Sequence, residues 1–335
     1  MNYGYNTNCV EVLGLQLKED NMNAKYILKR IALSAFTLLV ILLILFILLE
    51  FMPGSPFNDE KLSEEQIAVL YQKYGLDKPV AVRFAIYVKN MLTGDFGVSY
   101  VLHKNMPITQ MLKGRLQKSA RIGFQALLVG LVFGLILGIS AALHQNSPLD
   151  TGTTLLSLIG ASVPSYVFAL LLSYIFAFRL KILPLFYSTR EEFVSSILPT
   201  IALGMSPIAS IARFSRTEMI EVLGSDFITL AEAKGIKRFP VIVRHALRNA
   251  LIPILTVVAP LMVSLMTGST VVETIFSVPG IGSVFVESIQ VNDYNVVIAL
   301  AFIMSAFYIV VMLIVDILYG IIDPRIRVQG GSKNA

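Results

Sequence analysis

Tryptophan is absent from the 335-residue chain, and cysteine occurs once, at Cys9. A single cysteine excludes an intrachain disulfide and leaves no thiol cluster for a zinc or iron–sulfur centre. The three histidines, His103, His144 and His245, are far apart, and no HExxH run occurs. There is no GxxxxGK[ST] phosphate loop either. Gly280-Ile281-Gly282 lacks the strand–turn–helix setting of a dinucleotide fingerprint. Charge is scarce too: 15% of residues are charged and 55% hydrophobic, with a net charge of +5. Soluble domains ordinarily carry more charge. Redox, zinc-hydrolase and nucleotide chemistry therefore have almost no raw material in this chain.

What is present is hydrophobic length. A helix of about 18 or more apolar residues spans the hydrocarbon core of a bilayer. Six windows free of Asp, Glu, Lys and Arg meet or approach that length: 31–49, 122–143, 151–178, 193–212, 249–272 and 296–315. The chain reads as an all-α polytopic membrane protein with six predicted transmembrane helices. The first apolar run follows Lys29 and Arg30 but ends in Glu50-Phe51-Met52-Pro53-Gly54, with no small-residue cleavage pattern. It reads as a retained span rather than a signal peptide. Without tryptophan, interfacial anchoring falls to the 13 tyrosines and to Lys and Arg.

The pattern divides the chain into regions. Residues 1–24 read as a polar leader without fixed structure, with a short amphipathic helix over 10–18 as the alternative, and 25–52 as the first span. Residues 53–119 are too long for a turn and read as a small extracytoplasmic cap. Within it, 62–74 has helical spacing with Ser63 as a cap, 80–91 forms a second helix after Pro79, and Gly94-Asp95-Phe96-Gly97 makes a tight turn. Residues 120–328 form the transmembrane core and 329–335 a tail. Between two apolar runs lies the polar segment 213–248, with basic residues Arg213, Arg216, Lys234, Lys237, Arg238, Arg244 and Arg248. The opposite connection, 273–295, has Glu273, Glu287 and Asp293 but no Lys or Arg. The bias of basic residues toward the cytoplasm places 213–248 and both termini there.

Within 213–248, a helix breaks near Gly235 and a second boundary falls at Phe239-Pro240. Such a transverse element presents Leu230, Ala233, Ile236 and Phe239, rimmed by Lys234, Lys237 and Arg238. An apolar centre with a charged rim suits docking to a soluble subunit; a positively charged surface loop is the plainer alternative. In the spans, Gly130, Gly134 and Gly138 permit close helix approach. Ser162, Ser206, Ser210, Ser264 and Thr267 are candidates to line a weakly polar route, though local packing explains serines equally well. Glu273 and Asp316 are carboxylates at span ends and read as structural rather than proton-coupling groups.

Several motifs carry a family resemblance. These are Ala233-Lys234-Gly235, the run from Arg244-His245-Ala246-Leu247-Arg248 to Ile252-Pro253, and Val271-Val272-Glu273-Thr274-Ile275-Phe276 with Pro279-Gly280-Ile281-Gly282. Asp293-Tyr294, Asp323-Pro324-Arg325, Pro53-Gly54-x-Pro56 and Gly94-Asp95-Phe96-Gly97-x-Ser99 complete the set, in order over residues 25–328. The chain resembles the first permease subunit of bacterial oligopeptide/dipeptide ABC importers, a group that includes nickel importer permeases. The general permease signature is degenerate: Gly235 matches, Thr229 and Leu230 do not, and Arg248 replaces a proline. Ser55 and Ser119-Ala120 also depart from the usual residues.

The resemblance implies a type I ABC importer permease fold with a cytoplasmic coupling helix over Leu230 and Ala233–Phe239. It makes Glu273 a gate-side residue. It implies a second homologous permease, two cytoplasmic ATPase subunits that use ATP and Mg, and an extracytoplasmic peptide-binding protein. This chain would bind lipids but no nucleic acid, cofactor or metal of its own, would catalyse nothing itself, and would reside in the bacterial cytoplasmic membrane. Nickel or metal-chelate import, and a membrane scaffold or sensor that does not transport, remain as alternatives.

Overall fold

The computed structural model describes the backbone of residues 8–51 and 64–322. Side chains are described between residues 28 and 315, apart from 50, 52–64, 74 and 252. The expected Ser63 cap and the side chain of Asp316 lie outside these residues. Helices account for nearly all the regular structure; the one strand-like pairing among the described residues is an isolated bridge between Val98 and Pro107.

The chain begins with α1 (Asn8–Glu50), one continuous 43-residue helix. The leader read from sequence as unstructured through residue 24 is therefore helical from Asn8. Next come α2 (Glu64–Tyr74) and α3 (Val80–Leu92), close to the two cap helices expected. In the following turn, Gly94 and Gly97 have φ of 77° and 74°, and Asp95 accepts the Gly97 N–H at 2.9 Å. The cap is anchored by α3, which packs on α1. Phe84 meets Phe46 edge-on at 5.6 Å, and Arg83 lies 5.5 Å from the centre of the same ring.

Helix α4 (Ile108–Leu143) is 36 residues long, hence about 54 Å from end to end. Its first turns precede the apolar window, so the boundary expected at 119/120 falls inside a continuous helix. It pairs with α7 (Glu192–Leu223) through the glycines picked out by spacing. A Cβ on Gly130 would come within 2.5 Å of Pro207, and one on Gly134 within 2.8 Å of Ile211. Gly138 is pressed against Ala212 and Ser215. Only hydrogen fits at these positions, and that lets the two backbones close.

The third apolar window is not one straight span. Helix α5 (Pro148–Ser162) stops at Val163, which is extended at φ −87° and ψ 123°. A new helix, α6 (Ser165–Leu172), continues into the π-helical turn π1 (Ser173–Arg179), and the two halves meet at 102°. Pro164 is the reason: it has no N–H to continue the ladder and excludes its predecessor from the helical region.

After α7 come the short helices α8 (Asp226–Ala233) and α9 (Arg238–Pro240) and a second π-helical turn, π2 (Val241–Ala246). Helix α10 (Leu247–Met266) contains Pro253 and Pro260, and the path Arg238–Leu251 and Pro253–Met266 bends by 54°. The window predicted to run to residue 272 ends at Met266, because Gly268 turns the backbone left-handed at φ 89°. Glu273 thus belongs to a separate short helix, α11 (Thr270–Ile275), followed by α12 (Ile281–Gln290) and α13 (Tyr294–Ile322).

Among the described residues, four helices are long and apolar enough to cross a membrane, or up to six if each bent pair is one span. At one end of α4, Ile108, Met111 and Leu112 pack with Ile281, Val296 and Leu300. At the other, Ala142 packs with Met219 and Ile228. Since these clusters occupy the two ends of one long helix, the α12 end and the α8 end of the molecule are opposite.

Candidate functional site

Two constructions stand out, one at each end. At the α8 end, α8 packs on α4, α7 and π2. Ile228 and Ala231 are buried among Ala142, Met219, Val241 and Ala246. The helix stops because Gly235 adopts φ 80°, with its N–H bonded to the Glu232 carbonyl at 2.9 Å. No atom lies within 4 Å of where a Cβ would stand on Gly235, so this glycine serves backbone conformation alone.

Leu230, Ala233, Lys234, Lys237, Arg238 and Phe239 are all exposed, with Phe239 at 74%. Ile236, grouped with them from sequence, is half-buried and packs inward on the Ala142–Met219 cluster. Phe227 is exposed beside Leu230 and was not singled out. It is one turn from Leu230 on the same face, a periodicity that could have found it. Phe227 and Leu230 of α8 and Phe239 of α9 are thus exposed apolar groups, Lys234, Lys237 and Arg238 are exposed between them in sequence, and a buried seam holds α8 in place.

At the α12 end, four segments converge on Glu273. The Ser119 hydroxyl of α4 donates to Oε1 at 2.6 Å, and the Ser283 N–H donates to Oε2 at 3.0 Å. Ser119 Oγ in turn accepts the Ile281 N–H at 2.9 Å. Thr270 closes the knot by donating to the Gly282 carbonyl at 2.8 Å. Glu273 is 4% exposed. Its carboxylate fills space that side chains would need: a Cβ on Gly268 would lie 2.6 Å from Oε1, and one on Gly280 would collide with the carboxyl and with Ser119. The Pro279-Gly280-Ile281-Gly282 run is therefore small because it wraps a carboxylate.

Beside this knot, Asp293 is fully buried and gathers the 99–103 turn. It accepts the Ser99 hydroxyl at 2.5 Å and the N–H groups of Tyr100, Val101 and Leu102 at 3.1, 3.0 and 3.1 Å. Asn295 donates to the Val98 carbonyl at 3.0 Å, and the Tyr87 hydroxyl donates to the Asn295 carbonyl at 3.1 Å. Burial pushes the Tyr87 phenol above its ordinary pKa, so it stays a donor. Two motifs read separately, around Gly94–Ser99 and at Asp293-Tyr294, are thus one structure.

The candidate path residues fall on outward faces. Ser206 is exposed and Ser210 half-buried one turn along α7, in line with exposed Arg213 and Thr217. On α10, Thr256, Pro260 and Ser264 are exposed at four-residue steps, while Thr267 bonds its own helix at Val263 and Ser264. Ser162 is exposed at the end of α5. Not all serines face out: Ser215 is fully buried and donates to the Ile211 carbonyl at 2.6 Å.

The sequence matches two family descriptions. Residues 134–328 match the binding-protein-dependent transport system inner membrane component, and residues 23–109 match its N-terminal component. The chain is a permease of this family. The dipeptide transport system permease protein DppB of Lactococcus lactis is 44% identical over 303 residues, covering 90% of this chain and 99% of the relative. DppB of Bacillus subtilis is 40% identical, covering 91% and 99%. The oligopeptide transport system permease protein OppB of Salmonella typhimurium is 39% identical, covering 90% and 99%. Among solved structures, an inward-facing form of the MetNI methionine ABC transporter superposes with a TM-score of 0.53 at 14% identity. That match covers 64% of this chain and 97% of the other, and supports the type I importer permease fold. The permease is a multi-pass membrane protein, so the exposed leucines, isoleucines and phenylalanines of α1, α4, α5 and α6 have lipid or other apolar surfaces to meet.

Proposed function

We infer that this permease is the transmembrane subunit of an ATP-driven importer of dipeptides or oligopeptides. The observation that carries the reading is identity of 38–44% to permeases named for dipeptide and oligopeptide transport, over nearly their whole length. The chain performs no catalysis. It forms half of a pathway with a second, homologous permease, and two ATPase subunits hydrolyse ATP with Mg on the cytoplasmic side. A peptide-binding protein delivers cargo to the outer face.

The α8–α9 face, with Phe227, Leu230 and Phe239 at its centre and Lys234, Lys237 and Arg238 at its rim, receives an ATPase subunit. Its burial pattern supports this: one side is locked into the permease, and the other leaves large apolar groups uncovered. The polar stripes of α7 and α10, including Ser206, Ser210 and Ser264, form a pathway wall that offers hydrogen bonds without a deep charge trap. Ser162 and Thr267 join this wall at the margins. The Glu273 knot stiffens the outer gate. Both termini lie in the cytoplasm, and the membrane is the bacterial cytoplasmic membrane.

The test is reconstitution of the complete complex in liposomes, with uptake of labelled dipeptides measured against a nickel chelate. ATP-dependent dipeptide accumulation is expected. Uptake of the nickel chelate alone would reassign the cargo. Failure of the chain to co-purify with any ATPase would favour a membrane scaffold or sensor.

A further inference from the structure

At the α8 end, Asp150 in the first turn of α5 holds Arg216 of α7. Arg216 Nε lies 2.5 Å from Oδ1 and Nη2 2.8 Å from Oδ2, a two-point fork. Asp150 Oδ2 also accepts the Asn146 N–H at 3.0 Å, and Ser147 Oγ caps the helix by accepting the Asp150 N–H at 3.3 Å. The side chains are 6% exposed for Asp150 and 30% for Arg216. A fork of this kind fixes direction as well as distance. It also stands on the helix N-terminus, where a carboxylate is favoured.

The pair joins two elements that lead to opposite parts of the molecule. Three residues beyond Arg216, Met219 is fully buried in the seam that carries Ile228 and Ala231 of α8. On the other side, α5 leads to the 102° break and into α6, whose Ala169 packs with Val272 of α11 and with Phe276 just after it. Away from the fork, Gly160 of α5 packs closely on Ala209 and on the Met205 backbone of α7. The fork sets the register of α5 along α7.

We propose that Asp150 and Arg216 form a positioning clamp that makes α5 follow the end of α7 when α8 is displaced, so that ATP-driven movement reaches the bent third span. The proposal rests on the reading of α8 as the ATPase-coupling element. Neither residue touches cargo or nucleotide; both act through the helices they join.

The experiment uses the full transporter in liposomes and reads dipeptide uptake per ATP hydrolysed, retention of the ATPase subunits and thermal midpoint. Asp150→Asn and Arg216→Gln are each expected to lower uptake per ATP about tenfold, a change of ~1.4 kcal/mol, while the ATPases stay bound. The double variant should be no worse than either single, because each already opens the clamp. Arg216→Lys should recover part of the coupling, since it keeps the charge but not the fork. Normal uptake per ATP in both singles would overturn the proposal, as would a double-variant loss equal to the product of the single losses. Loss of ATPase retention alongside uptake would assign the pair to assembly and overturn it too. If the unaltered complex moves no peptide, the cargo reading fails instead. The clamp is then read from stimulation of ATP hydrolysis by the binding protein, where the same loss and the same non-additivity are expected.

Discussion

Glu273 is a buried carboxylate satisfied by neutral donors: a hydroxyl from α4 and an amide at the start of α12. Ser119 is equally committed, donating to Glu273 while accepting from Ile281. Ser119→Ala would leave the Ile281 N–H unpaired, a cost of about 1–3 kcal/mol. Glu273→Gln would turn an amide NH2 toward one of two groups that need an acceptor, at a similar cost. Both variants should lower the thermal midpoint of the purified complex. The double variant should lose less than the sum, since both changes open one knot. Strictly additive losses would show that the two residues act separately. The stretch around Glu273 was legible in sequence as a landmark, but its partner was not. Ser119 stands 154 positions away and had registered only as a departure from the usual residue. The same holds for Asp293 and Ser99, each noticed alone, and for Arg216, read only as one of the basic residues, with Asp150 not noticed. Pairing across long separations is set by how helices pack, and one sequence carries no direct trace of it.

At the scale of elements, spacing and hydropathy located most helices, while backbone geometry decided where they stop. Pro164 broke a window that hydropathy reads as continuous, and Gly268 ended a span six residues before the apolar run does. The α8–α9 element was legible because Gly235 and Pro240 interrupt a polar stretch, yet its inner and outer faces were mixed. Ile236 follows the left-handed Gly235 and is thereby turned inward. This separates five substitutions. Gly235→Ala meets no atom and costs only left-handed backbone strain, about 1–2 kcal/mol. Gly235→Pro is incompatible with φ 80°, because the ring holds φ near −65°. Leu230→Asp and Phe239→Asp alter exposed groups, so the permease should fold normally while ATPase subunits fail to co-purify. Ile236→Asp buries a charge in the seam and should instead make segment 224–246 susceptible to protease. Full ATPase retention in both Leu230→Asp and Phe239→Asp would remove this face from the proposed interface.

For the whole molecule, orientation follows from charge and from the two opposite ends. The α8 end carries Lys234, Lys237, Arg238, Arg244 and Arg248, while the connection from 273 to 295 has no basic residue. The cap region weighs against a simple count, because Lys104, Lys113, Arg115 and Lys118 lie on the α12 side. The rule is strongest for short loops, and the cap exceeds that range. The α8 end should therefore face the cytoplasm, although the cap region, residues 53–119, carries nine basic residues of its own. Replacing Cys9 by serine gives a background free of cysteine for single probes. Lys104 and Lys237 are both exposed, one at each end of the molecule, so both are open to a reagent on the proper side. In sealed cells, a membrane-impermeant maleimide should label a cysteine at 104 and leave one at 237 unreacted until the membrane is permeabilised. Labelling at 237 without permeabilisation would reverse the orientation. It would also put the Phe227–Leu230–Phe239 face outside the cell, where ATP is absent and no ATPase subunit could use it.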